Sequence, residues 1–191
     1  ADLVVLDDLE GLRAWRVYAG GRLVAEEGRY LAATAEGTPV PVPRSMNVDP
    51  AAVDFTIRAG EGPARVIGII PEQIVTEDLR LEPTVEDGAV VADPARDLAK
   101  LAVVERHRGT GRTGLGLVHG LGLRRGALAS SVAHDSHNVV VAGAGDDDMR
   151  AALAAVVEMG GGQVVVDGGR VLAACPLPIA GLMSDRPLPE V

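Results

Sequence analysis

The chain has 191 residues, a net charge of −9, and a composition that is 47% apolar with one Trp, two Tyr and one Phe. A chain of this length buries about 70% of its surface on folding, so the composition predicts a core and excludes intrinsic disorder. The negative charge and the scarcity of aromatic rings argue against nucleic-acid binding, which needs positive charge and stacking platforms.

Two residues that occur only once exclude further classes of protein. Lys100 follows no G-x-x-x-x-G pattern, which excludes a P-loop. Cys175 alone excludes disulfides and a multi-cysteine zinc site, and we expect it to be a small buried side chain. No apolar run approaches about 18 residues and the first residues are acidic, so we expect no membrane partner, no signal peptide and a cytoplasmic location.

The sequence of residues 1–38 predicts short strands that do not form a hydrophobic core of their own. We expect strands at 3–6, 15–18 and 23–25, with Gly20 and Gly21 forming a hairpin turn. A hairpin and one further strand do not bury a core alone. We expect residues 1–38 to be a piece of a separate domain and residues 39–50, which contain four prolines, to be a linker.

Residues 51–191 form the main predicted domain. One helix is indicated by Asp146, Asp147 and Asp148 as N-cap and first turn, by apolar residues at helical spacing, and by Gly160 as a stop. The glycine-rich stretch 109–126 predicts no regular element. The fold class is α+β, mainly antiparallel sheet with a few packed helices. Strands are expected at 53–57, 64–70, 98–106, 127–133, 139–142, 163–166 and 171–174, the last two joined as a hairpin at 167–169.

A glycine motif, Gly109-Thr-Gly111-Arg-Thr-Gly114, matches G-x-G-x-x-G after a predicted strand, and Asp135 stands about where an acidic ribose ligand would be. The residues after Gly114 are poor helix formers, so the pyrophosphate would lack a helix N-terminus. The motif nevertheless leaves a second possible function open. In that alternative the chain is a stand-alone nucleobase- or nucleotide-binding domain that uses loop 109–114 and cluster 130–138.

The densest polar cluster is Ser130–Asn138, at the junction of the strands predicted at 127–133 and 139–142. It carries more polar groups than a turn buried in the core would. One interpretation is an Asx-type turn at Asp135 and Asn138. The others are a Ser-His-Asp triad, a metal site formed by His134, His137 and Asp135 with His119 or His107, and a substrate-facing loop. Glu105 and His107, at the end of the strand from residue 98, are candidates for the same pocket. The full set of candidate substrate-proximal residues is Ser131, His134, Asp135, His137, Asn138, Glu105 and His107.

Several segments resemble the C-terminal region of bacterial adenine deaminases. The most specific is 122–141, which contains the Ser130–Asn138 cluster. The others are Val104-Glu-Arg-His107 with Gly109-Thr-Gly111, the stretch Glu158-Met-Gly-Gly-Gly162, and the closing Pro176–Asp185. The first seven residues are similar to the last strand region of the small β domain of amidohydrolases in general.

The resemblance implies a part of an enzyme that hydrolyses adenine to hypoxanthine and ammonia with manganese or iron held in a separate (β/α)₈ barrel. That barrel needs about 250 residues, and this sequence has neither that length nor an H-x-H metal pair. The H-x-E and P-C-x-x-C motifs of zinc deaminases are also absent. We therefore expect a chain that is inactive alone, with no metal and no catalytic residue of its own, whose partners are the barrel of the same protein, adenine and further copies of the enzyme.

Overall fold

The structure, a computed structural model, describes residues 2–31, 44–187 and 190–191 and divides into two units, Ala1–Pro41 and Val42–Val191. The first unit is a four-stranded antiparallel meander in which neighbours in the chain pair. No described residue of this unit is buried, which agrees with the expectation that it forms no core of its own. Its strands are β1 (Leu3–Leu6), β2 (Ala14–Ala19), β3 (Arg22–Glu26) and β4 (Arg29–Tyr30).

The second unit is built on an eight-stranded sheet, with one α-helix among the described residues. Its strands are β5 (Ile57–Arg58), β6 (Ala64–Ile69), β7 (Thr76–Leu81), β8 (Thr84–Glu86), β9 (Ala89–Val91), β10 (Leu98–Val104), β11 (Thr113–His119), β12 (Ala127–Ser130), β13 (Val139–Gly143), β14 (Gly162–Asp167) and β15 (Arg170–Pro176). The helix is α1 (Asp146–Glu158), and short 3₁₀ turns span Pro50–Ala52 and Pro94–Arg96.

The strand order of the large sheet is β15-β14-β12-β13-β10-β11-β6-β7, and β5-β9-β8 form a second small sheet. Every pairing is antiparallel except β11 with β6. The mainly antiparallel sheet is therefore confirmed, and the class is broadly α+β or mostly β, because the expected few packed helices reduce to α1 in the described part of the chain.

The core lies on one face of the large sheet, where α1 packs Met149, Leu153 and Val156 against β12, β13 and β14. Phe55 and Met46 are buried in the same core, so residues 44–50 of the predicted linker pack against this unit. A smaller cluster around Val66, Val90, Leu98 and Leu117 continues the core beneath the small sheet.

The predicted helix is confirmed, but its cap is not. Gly145 is the N-cap residue and makes no side-chain hydrogen bond. The aspartates of the first turn bond elsewhere: Asp146 lies 2.7 Å from the buried ammonium of Lys100, and Asp148 accepts from the backbone N–H of Gly169. Their negative charge still lies at the positive end of the helix dipole.

Four predictions about strands were wrong, in whole or at one end, in physically informative ways. The glycine-rich stretch contains β11, because pairing with β10 and β6 on both sides supplies the order that glycine lacks locally. Residues 53–56 are not a strand, and only Ile57–Arg58 pair there. The strands expected at 98–106 and 127–133 end early, at Val104 and Ser130.

Cys175 is only half-buried, on edge strand β15, rather than fully enclosed as expected. The hairpin predicted at 167–169 is present between β14 and β15, with Gly168 and Gly169 both at positive φ. No helix in the described residues has the length and apolarity needed to span a membrane.

Candidate functional site

The polar residues singled out in the sequence meet at one end of the large sheet. Val104, the last residue of β10, pairs with Val139 on one side and with Thr113 on the other. Because both pairings are antiparallel, the segment that leaves β10 lies beside the segment that enters β13. The register thus brings Glu105–His107 next to the loop that ends at Asn138.

That loop, residues 131–138, is a turn held by serine and backbone groups. Ser130 Oγ accepts from Val132 N at 3.0 Å, Ser136 Oγ accepts from Asn138 N at 3.3 Å, and His137 N donates to Ala133 O at 2.7 Å. The expected turn is present, but serines rather than Asp135 and Asn138 form these bonds. Short hydroxyl–backbone bonds of this kind stabilise turns in the same way as Asx turns.

The tip of the loop is fully solvent-exposed. His134 and Asp135 project from it with their side chains open to water, and His134 Nδ1 lies 3.3 Å from Asp135 Oδ1. An exposed imidazole can donate and accept hydrogen bonds at once, and a neighbouring carboxylate can accept from it. These two side chains are therefore the ones free to contact another molecule.

Arg106 ties the base of this loop to two other segments. It is 1% exposed, and its guanidinium donates to the carbonyls of His137, Ser45 (3.0 Å) and Ala180 (2.9 Å), and to Ser45 Oγ (2.9 Å). Burial lowers the pKa of Arg106 from its ordinary value, and no carboxylate is among these partners. Arginine's rigid fork of donors suits this task, since a single buried group bonds three chain segments.

Glu105 organises the loop that follows β10. Its carboxylate accepts from the backbone N–H groups of His107, Arg108 and Thr110 and from the Thr110 hydroxyl, at 2.6 to 3.0 Å. These donors, led by the Thr110 and Arg108 amides, lower the pKa of Glu105 to about 2. Glu105 is therefore ionised at neutral pH and is unsuited to serve as a general base or acid there.

His107 connects the two segments. Its side chain is exposed, and its Nε2 lies 3.0 Å from the carbonyl oxygen of Ser136 in the loop. Together with the bond from Arg106 to His137 O, this contact fixes the loop from the β10 side. We call His107 and residues 133–138 the histidine loop.

Ser131 lies apart from the exposed residues of the loop. Its side chain is fully buried, and its Oγ donates to Gly181 O at 2.6 Å and accepts from Gly162 N at 2.7 Å. The hydroxyl is thus engaged by backbone groups and does not form a Ser-His-Asp triad. Its place in the structure is a junction between the loop, β14 and the segment near Gly181.

Three buried side-chain atoms in the described residues have no hydrogen-bond partner in the protein, and all three lie at this end of the sheet. They are Thr113 Oγ1, His137 Nδ1 and Asn138 Oδ1. His137 also adopts a left-handed conformation with φ of 50°. Buried unpaired polar groups and left-handed non-glycine residues each cost about 1–3 kcal/mol, and such features cluster at functional sites.

The glycine motif does not form a nucleotide site. The residue after the motif continues β11 rather than opening a helix, so no helix N-terminus receives a phosphate. The Thr110 amide of the motif and the His107 and Arg108 amides just before it are already bonded to the Glu105 carboxylate, whose negative charge would repel a phosphate. The alternative of a stand-alone nucleotide-binding domain is therefore disfavoured.

A metal ion does not fit the histidine loop. In residues 2–31, 44–187 and 190–191, no three His, Cys, Asp or Glu side chains converge as a metal site requires. His134 and Asp135 form a close pair, but they have no third ligand within that part of the chain. The metal-site interpretation of the loop was therefore wrong for the residues described.

Arg106 and Thr113 were missed as site residues in the sequence. Arg106 was expected only as the last residue of the strand at 98–106, and Thr113 only as part of the glycine-rich stretch 109–126. An arginine at the end of an apolar strand is usually solvent-exposed, and the residues next to Arg106 in the sequence do not indicate that it is buried. Only the meeting of segments near residues 45, 137 and 180 encloses it.

Comparison with known proteins shows the family of the chain. The family described as adenine deaminase C-terminal domain matches residues 73–191. Over its whole length, the chain is 52% identical in sequence to the adenine deaminase of Desulfatibacillum aliphaticivorans, and the match covers 34% of that protein. It is 49% identical to adenine deaminase 2 of Carboxydothermus hydrogenoformans, and the match again covers 34% of that protein. It is 48% identical to 33% of the adenine deaminase of Methanothrix thermoacetophila, so the chain spans about a third of the length of these relatives.

Proposed function

Because the chain belongs to the adenine deaminase C-terminal domain family, we propose that it is the C-terminal part of an enzyme that converts adenine and water to hypoxanthine and ammonia. The observation that carries the proposal is the match of the whole chain at 52% identity to a third of such an enzyme. Residues 1–38 are then the end of a small β domain, in keeping with a meander that has no buried residue among those described.

In this proposal the histidine loop faces the substrate site of the complete enzyme. His134 and Asp135 have free polar atoms, and the purine edge presents ring nitrogens that accept hydrogen bonds and an amino group that donates them. An imidazole and a carboxylate can match both kinds of group. Arg106 and the Glu105-organised loop hold the histidine loop in place, so the cost of ordering it is met before the substrate binds.

The described residues offer no metal site, so the proposal assigns the manganese or iron expected from the resemblance to the barrel outside this chain. Turnover then needs the barrel, and this chain alone is inactive. The homo-oligomeric state and cytoplasmic location expected from the sequence belong to the same proposal.

The test compares adenine turnover by the full-length polypeptide with that of two single variants. His134→Ala removes an exposed loop side chain, so we expect folding to be unchanged and kcat/KM for adenine to fall at least tenfold. His119→Ala is the matched control, because His119 lies in β11 outside the loop. The histidine loop has no role in the substrate site if H134A and H119A retain equal activity.

Failure of the larger proposal has a different result. If the wild-type full-length polypeptide, supplied with manganese or iron, leaves adenine absorbance unchanged, the assigned reaction is wrong. If the 191-residue chain alone deaminates adenine, the assignment of the metal site to the barrel is wrong.

A further inference from the structure

The face of the large sheet opposite α1 carries a continuous apolar row. Antiparallel partners point their side chains to the same face, so one row can be followed from strand to strand. The row pairs Leu101 with Ala142, Ala142 with Leu128, Leu128 with Val165, and Val165 with Ala173. It crosses five neighbouring strands, and every member is apolar.

The alternation of burial in β12 and β14 shows that this row lies away from the core, and its one buried member, Ala142 at 8% exposure, is not part of the core cluster under α1. In β14, Val164 and Val166 are buried against α1, whereas Val165 between them is 38% exposed. In β12, Ala127 and Ala129 are buried in the same core, and Leu128 between them is only half-buried. We call the row Leu101, Ala142, Leu128, Val165 and Ala173 the open row.

A solvated face of an antiparallel sheet normally carries polar side chains at alternate positions. The open row has none, and four of its five members (Ala142, Leu128, Val165 and Ala173) line an open, mostly apolar groove together with Leu121. Contiguous apolar surface of this kind marks a place where another molecule packs. A protein surface is the fitting partner, because the groove is wide and open rather than enclosed.

Polar residues border the open row, as the rim borders the centre of a protein interface. In the next row, Ser130 pairs with Gln163 on the β12–β14 side, while Val140 and Val103 keep the β13–β10 side apolar. At the far end of the sheet, Arg65 of β6 lies 3.3 Å from Asp78 of β7 on the same face. An apolar centre with a polar margin is typical of a surface that is covered by protein.

The position of the histidine loop relates this surface to the site. The open row includes residues of β10 and β13, and the same two strands end at Val104 and begin at Val139 beside the loop. A body that packs on the open row would therefore have the histidine loop at its margin. The same packing that covers the open row would then bring the histidine loop to the surface of the body that covers it.

We propose that the open row is the surface on which the preceding two-thirds of the deaminase polypeptide packs. This inference rests on the proposed function, and it identifies the face of this unit that meets the rest of the enzyme. The relatives are about three times as long as this chain, so the occupant is on the same polypeptide. Covalent linkage gives such an occupant an effective concentration in the millimolar range, which favours it over a second copy of this unit.

The test uses Cys175, the only cysteine in this sequence, as a reporter. Cys175 lines the same groove and is half-buried. Its rate of alkylation by iodoacetamide is measured by mass spectrometry of the tryptic peptide that begins at Val171, in the 191-residue chain and in the full-length polypeptide. We expect labelling at least tenfold slower in the full-length polypeptide. Equal rates would overturn the proposal.

Two charge substitutions separate docking from folding. Val165→Asp places a carboxylate in the open row, and Val85→Asp is the matched control, since Val85 is a 47% exposed strand valine in the small sheet. Both variants of the 191-residue chain should keep the wild-type circular dichroism spectrum. In the full-length polypeptide, V165D should restore rapid labelling of Cys175 and V85D should not. Protection that persists in V165D would refute the docking surface.

The remaining outcomes identify the occupant. If the 191-residue chain forms a dimer in sedimentation experiments and V165D makes it monomeric, a second copy covers the row and the proposal is wrong. If Cys175 is protected in a full-length polypeptide that does not deaminate adenine, the docking surface stands and the proposed reaction fails.

Discussion

Replacing Arg106 with methionine tests whether one buried guanidinium holds the histidine loop in place. Methionine has a similar length and keeps the apolar packing but removes every donor. The carbonyls of His137, Ser45 and Ala180 then lose their partner inside the protein. Each buried unsatisfied acceptor costs about 1–3 kcal/mol. The substitution also removes the free-energy cost of burying the Arg106 cation without an anionic partner, and this gain offsets part of the cost of the three unsatisfied carbonyls.

The net loss expected for R106M is about 3–5 kcal/mol of the free energy of unfolding, out of a total of about 5–15 kcal/mol for an ordinary domain. For a chain of this size, 1 kcal/mol corresponds to about 2–4 °C, so Tm should fall by about 6–20 °C. Arg106→Lys should fall between wild type and R106M, because an ammonium keeps the charge without the planar fork.

Urea unfolding followed by circular dichroism measures the free energy of unfolding. The matched control is Arg150→Met, since Arg150 is exposed and makes one hydrogen bond, to Val53 O at 2.8 Å. We expect R150M to cost less than about 1.5 kcal/mol. Amide hydrogen exchange at His137, whose N–H bonds Ala133 O, should accelerate in R106M alone. A stability loss in R106M no larger than in R150M would refute the reasoning.

Two further predictions concern the same end of the sheet. Glu105 has its pKa lowered to about 2 in the folded state, so its contribution to stability is complete above its ordinary pKa of 4.5 and is lost as pH falls from about 4.5 towards 2. The stability difference between wild type and Glu105→Gln, from urea midpoints, should shrink over that window; a constant difference would contradict the argument. Gly161→Ala should cost about 2–5 kcal/mol, because Gly161 has a φ of 118° and a Cβ there would overlap Gly181. Gly114→Ala, with open space around its Cβ, should change stability by less than about 0.5 kcal/mol, and equal effects of the two would refute the close-contact argument.

The histidine loop combines rigid and accessible parts. Arg106 is buried and bonds the loop to distant segments, and the buried Ser131 anchors the chain just before the loop, whereas His134 and Asp135 are fully exposed at its tip. This division is common where a site must be positioned by its scaffold yet reach another molecule. Substitutions in the buried pair should change stability first, and those at the tip should change activity first.

Much of the fold followed from local sequence patterns. The helix from Asp146 to Glu158 was predicted because its apolar residues repeat every three or four positions, and the β14–β15 hairpin because Asp-Gly-Gly favours a tight turn. The family was recognisable from ordered motifs, since the Ser130–Asn138 cluster is long and specific. Each of these signals lies within a short stretch of chain.

The tertiary structure decided the features that depend on distant segments. Strand β11 forms in a glycine-rich stretch because neighbours on both sides pair with it. Arg106 becomes a buried clamp only when Ser45, His137 and Ala180 close around it. The open row exists only because the strand order 15-14-12-13-10 sets five separate apolar residues side by side. Sequence patterns report propensity over a few residues, whereas burial and cross-strand register are set by contacts between residues far apart in the chain.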